Sequence, residues 1–139
     1  MANLIYNKFK QNIMADVVNL TTDTIKCMLV TSAYTPAITN LFKSDVTNEV
    51  TGTNYTAGGN ALTTKVTSVD NVNNWGAFTA DNVTYSNSTV TARGAVLYKD
   101  TGVASTSPLI GYIDFVTDKS SSASDFVIQW NTAGILTIA

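Results

Sequence analysis

From residue 64 onward the chain alternates short apolar, β-branched segments with clusters of Gly, Ser, Asp and Asn, and no segment between them has the spacing of a crossover helix. The strand-like segments are residues 64–69, 77–78, 82–85, 89–99, 109–116, 125–130 and 135–138. DTGVASTSP, DKSSSAS and NTAG separate the last four. Parallel strands need a long crossover, usually a helix, whereas antiparallel strands need only a turn. The pattern therefore predicts a mainly β domain, an antiparallel sandwich or barrel-like meander. Within residues 90–99, strict alternation puts Val90, Ala92, Gly94, Val96 and Tyr98 on one face, with Thr91, Arg93, Ala95, Leu97 and Lys99 on the other.

The first half adds one helix. Leu4, Ile5, Phe9, Ile13 and Val17 recur near steps of four, with Met14 and Val18 beside them, which predicts an amphipathic helix over residues 1–19 with Asn3 as its cap. Two dockings are open for its apolar stripe: its own domain, or a neighbouring subunit. The expectation divides it, with Ile13 and Val17 inside the domain and Leu4, Ile5 and Phe9 at a subunit contact. Residues 24–139 then form the β domain of a single unit of 139 residues. IKCMLV reads as a buried strand and NLFKSDV as a helical turn. EVTGTNYTAGGNAL, with three glycines, reads as a long loop.

Charge is scarce. Asp, Glu, Lys and Arg make up 13% of the chain, about half the usual share, and Thr, Asn and Ser supply 47 of the 139 residues. A net charge of −2 offers phosphates no basic field, so no nucleic-acid partner is expected. No apolar run approaches the length of a membrane helix, and MANLIYNKFKQNIM lacks the pattern of a secretory signal. No membrane partner is expected.

Reactive chemistry is equally sparse. The chain has no histidine, hence no Ser-His-Asp constellation and none of the commonest metal ligand. Its one cysteine, Cys27, sits in an apolar run and reads as a buried strand residue. AGGN lacks the lysine of a phosphate loop, and DNVNN lacks the ligand alternation of a calcium loop. The reading is a non-enzyme with no cofactor, metal or catalytic residue. Trp75, Tyr85, Tyr98, Tyr112 and Trp130 suit either a glycan site or the core. The only arginine, Arg93, has two readings: a pair with a carboxylate such as Asp114 on the next strand, or a subunit contact. Residues 49–60, which include Tyr55, and residues 71–75, which end in Trp75, are the expected contact surfaces. Trp75 is a large aromatic in polar surroundings and a natural interface anchor.

YNKFKQNIM, DTIKCMLVTSAYTP, NEVTGTNYTAGGNAL and RGAVLYKDTG…SPLIGYIDF…DFVIQWNTAGILTI, in that order, resemble a family of small phage virion proteins encoded among head-assembly genes. The resemblance spans nearly the whole chain, and AGG, SPLIGYIDF and QWNTAGIL carry most of it. It implies a structural role at the capsid surface as a decoration or cement protein. It also implies the major capsid protein as partner and a homo-oligomer, with a trimer favoured by analogy. A neck or tail component and a glycan-binding host-attachment module are the alternatives.

Overall fold

The computed structural model describes residues 2–139. The chain is mainly β, with two antiparallel sheets and one short helix. The strands are β1 Leu4–Ile5, β2 Ile25–Val30, β3 Asn60–Ala61, β4 Val66–Asp70, β5 Trp75–Thr79, β6 Val83–Lys99, β7 Leu109–Ile128 and β8 Leu136–Ile138, and helix α1 spans Asn7–Met14. One sheet has the order β1-β7-β6-β2-β3 and stays open; the other has the order β4-β5-β8. The architecture is a sandwich-like stack rather than a closed barrel.

Around β2 the five-stranded sheet is buried on both faces, which is why IKCMLV is apolar apart from Lys26, whose Nζ reaches Asp100 at 2.8 Å. Ile25, Cys27 and Leu29 of β2 join Ala95 and Leu97 of β6 in the core beneath the second sheet, which contributes Phe78 and, less deeply, Leu136. Met28 and Val30 point the other way, with Val96, Tyr98, Leu109 and Tyr112. Tyr6 and Tyr34 cover that face, their hydroxyls 2.9 Å apart. Each fully buried aliphatic side chain contributes about 1.5–3 kcal/mol through area removed from water.

Strands β6 and β7 are longer than their composition suggests. The predicted breaks at SNS and DKSSSAS are strand, and Ser88↔Ser124, Val90↔Ser121, Thr91↔Ser120 and Ala92↔Lys119 continue the ladder. Hydroxyls replace apolar contacts there: Ser88 meets Ser121 at 2.9 Å in the interior, and Thr91 meets Ser120 at 2.8 Å at the surface. The ladder is bent by irregularities. Ala92↔Lys119 is followed by Gly94↔Asp114, so two steps along β6 answer five along β7. Val116 takes a left-handed φ of 71° in the extra length. This corrects the expected faces of β6: the irregularity shifts the phase, so Val90 and Ala92 share a core with Ala95 and Leu97, not with Val96 and Tyr98.

The N-terminal expectation is also corrected. Residues 1–19 are not one helix. Leu4 and Ile5 pair with Tyr112 and Gly111 on the edge of β7, because an open sheet edge offers backbone partners that a first helical turn lacks. Asn3 does not cap the helix; its side-chain oxygen accepts the Asp114 N–H at 2.7 Å. Helix α1 stops at Met14. The N–H groups of Val17 and Val18 turn back to the Asn12 carbonyl around Asp16, whose φ is 55°. Met14 and Val17 consequently face solvent, 82% and 47% exposed, while Phe9 is 2% exposed in the main core.

Candidate interface

The six residues singled out from sequence do not form one site. Phe9 is core, which corrects its placement at a subunit contact: it packs with residues of both sheets. Leu4 and Ile5 are half-buried in β1, Leu4 against the core around Tyr6 and Ile5 against the main core. They line a shallow cleft of about 280 Å³ with Gly111 and Leu136.

Tyr55 belongs to the internal framework of its loop. Its hydroxyl accepts the Leu29 N–H at 2.9 Å and donates to Glu49 Oε1 at 2.8 Å, and its ring lies 5.5 Å from that of Tyr85. The adjoining AGG turn is pinned in the same way. Glu49 also accepts the Gly58 N–H at 2.6 Å, and Tyr98 donates to the Gly58 carbonyl at 2.6 Å. Gly59, with φ +75°, lies so close to β2 that a Cβ would sit 1.8 Å from the Cys27 carbonyl oxygen. The glycines of the loop therefore serve close backbone approach.

Arg93 pairs with Asp114, its Nε donating to Oδ1 at 3.0 Å across the β6–β7 irregularity. The Arg93 side chain is 30% exposed and that of Asp114 2%. Burial by itself raises the Asp114 pKa, but the Val116 N–H and the guanidinium outweigh it and hold the carboxyl below its ordinary range.

Trp75 is the candidate that stays at a surface. It opens β5 opposite Asp70, is half-buried, and is outside both cores. The tip of its hairpin is fixed by Asp70: Oδ1 accepts the N–H groups of Val72 and Asn73, both at 2.9 Å, and Oδ2 accepts Asn73 Nδ2 at 2.8 Å. Asn74, at φ 61°, closes the turn. On one face of this sheet lie Val69 and Ile138, flanking Gly76; on the other lie Val66 and Trp75. Val66, Val69, Val72 and Ile138 are 47%, 76%, 89% and 57% exposed. The hairpin thus exposes apolar side chains on both sides: Val69 and Ile138 at the end of the face whose Phe78 and Leu136 meet the core, and Val66 with half-buried Trp75 on an outer face otherwise lined by Ser68, Asp70 and Thr79. A signal for this lay in the sequence. Valines 66, 69 and 72 and Trp75 recur every three residues, a spacing that in a strand cannot serve a single buried face.

A feature that sequence reading missed is a groove of about 530 Å³ beside β7, with Phe115, Phe126, Trp130 and Ile135 among its walls. Trp130 is held there by its indole N–H, which donates to the Asp81 carbonyl at 2.9 Å. The other aromatics considered for a glycan site, Tyr85, Tyr98 and Tyr112, are core.

No cluster of three or more potential metal ligands occurs among the described residues. Burial pushes the Cys27 thiol up to about 12, so this cysteine is held as a thiol. Burial likewise raises the phenols of Tyr6, Tyr55, Tyr85 and Tyr98 above their ordinary value. No helix is long and apolar enough to cross a membrane among the described residues. No family model, curated protein or solved structure matches the chain.

Proposed function

We propose that this chain is a structural virion protein that binds and stabilises a phage capsid shell from its outer surface, as a decoration or cement protein. The observation that carries the reading is the β4–β5 hairpin, stiff at its tip and carrying exposed Val66, Val69 and Val72 beside half-buried Trp75. A fixed, uncovered apolar projection suits docking against another protein. The likeness of YNKFKQNIM, AGG, SPLIGYIDF and QWNTAGIL to small virion proteins supplies the setting. In this reading the partner is the major capsid protein, Trp75, Val69 and Val72 are the contact, and the protein does its work without catalysis. Self-association, as a trimer by analogy, multiplies a weak contact: linked copies bind with far greater strength than one alone. The abundance of Thr, Asn and Ser gives the outward surface hydration with little net field.

Copy number tests the proposal. Quantitative mass spectrometry of purified particles should find this chain in hundreds of copies, in fixed proportion to the shell protein. About a dozen copies or fewer would indicate a neck or tail component and overturn the cement reading.

A further inference from the structure

We propose that the open edge of β7 at Asp125 and Val127 binds an extended polypeptide segment by strand addition. The direction of the backbone groups carries the argument. Thr84 stands opposite Val127, and its carbonyl is taken on the far side of β6 by Asn60 Nδ2 at 2.9 Å. In an antiparallel ladder both members of such a pair turn their N–H and C=O away from each other. Val127 therefore aims its own backbone groups out of the sheet. Asp125, two residues away, does the same.

Among the described residues no strand covers this edge: β1 alone pairs with β7 on that side, at Gly111 and Tyr112. The side chain of Asn3 then occupies the next rung at Asp114, and among the described residues no strand pairs with the edge beyond. The groove begins where β1 ends: Asn3 lines it, and it runs along residues 125–131. At Gly111 and Tyr112 β7 already takes β1 as an added antiparallel strand; beyond its irregularity the strand bends so that the groove brings Ile113 and Phe115 beside residues 125–131.

The chemistry of the walls selects the occupant. Outward N–H and C=O groups repeated every second residue are complementary to another peptide backbone, and apolar walls receive its alternate side chains. Phe115, Phe126, Trp130 and Ile135 provide those walls, with Lys119 and Asp125 beside them. The occupant is an extended segment of another protein with apolar residues at every second position. This inference does not depend on the capsid reading and involves a surface other than the β4–β5 hairpin.

The test pans the full-length protein against a library of peptides of about nine residues with apolar side chains at alternate positions. An enriched peptide should slow hydrogen exchange of the Asp125 and Val127 amides. Methylating its edge-facing backbone nitrogens should weaken binding about tenfold or more. Val127→Pro removes an N–H that the β6–β7 ladder does not use, and should abolish binding while Val127→Ala retains it. Should Val127→Pro fail to fold, the methylated peptides decide alone. Failure to enrich any peptide, an enriched peptide indifferent to methylation at every position, or protection confined to other amides would overturn the proposal. So would a saccharide that occupies the groove when no peptide does.

Discussion

Replacing Gly59 by Ala isolates what holds the long loop to the sheet. The new Cβ would lie 1.8 Å from the Cys27 oxygen, 2.6 Å from its carbonyl carbon and 2.7 Å from Met28 Cα, all backbone atoms of a strand hydrogen-bonded on both sides. Those atoms have nowhere to move, so the loop must lift. Lifting it puts at risk the pairing of Asn60 and Ala61 with β2, the Tyr98 bond to the Gly58 carbonyl and the Glu49 bond to the Gly58 N–H. A left-handed φ costs alanine about 1–2 kcal/mol. Each lost hydrogen bond adds about 0.5–1.5 kcal/mol. With three such bonds lost the sum is about 2.5–6.5 kcal/mol, a large part of the stability of an ordinary domain. Gly102 is the internal control: it has φ +88°, but a Cβ there meets nothing within 4 Å. Chemical denaturation of the two variants should give a loss near 1–2 kcal/mol for Gly102→Ala and at least about 1.5 kcal/mol more for Gly59→Ala. Equal losses would refute the argument that close approach to β2 fixes this residue.

Phe9→Ala should cost about 3–5 kcal/mol of folding stability in the same assay, whereas Met14→Ser, at an 82% exposed position, should change it by under about 0.5 kcal/mol. Alkaline titration should destabilise the fold. Burial raises the pKa of Tyr6, Tyr55, Tyr85 and Tyr98 in the folded state, so the unfolded chain binds fewer protons above its ordinary tyrosine pKa. Their contribution is full below about pH 10 and is lost above it, and ultraviolet absorbance should show most tyrosinate appearing together with unfolding. Cys27, fully buried with its thiol pushed up to about 12, should resist a thiol reagent at pH 8 and react fully in denaturant.

The fold class was legible because turn residues recur between β-branched segments without crossover helices. Arg93 and Asp114 were legible as a pair because adjacent antiparallel strands bring their side chains together. What eluded sequence reading has specific causes. SNS and DKSSSAS have the composition of turns, but their hydroxyls bond across the ladder and let the strands run on. The phase of β6 was misread because an irregularity beside Arg93 has no residue signature of its own. Leu4 and Ile5 fit a four-residue period by coincidence, and the open edge of β7 decided their conformation. Tyr55 looked available in a loop because its partners, Leu29 and Glu49, are distant or ambiguous in sequence. Trp75, expected in a polar context, is half-buried and outside both cores, since nothing in DNVNNW offers it a core.

Binding to capsid shells by a hairpin variant tests the central claim most directly. Val69→Ser with Trp75→Ala removes one apolar side chain from each face of the β4–β5 hairpin, both outside the two cores. Cosedimentation with purified shells, alongside thermal unfolding of the free protein, measures docking and folding separately. The account predicts that the variant stays folded while its affinity for the shell falls about thirtyfold or more, as loss of an aromatic anchor requires. Undiminished occupancy of the shell by the folded variant would contradict it.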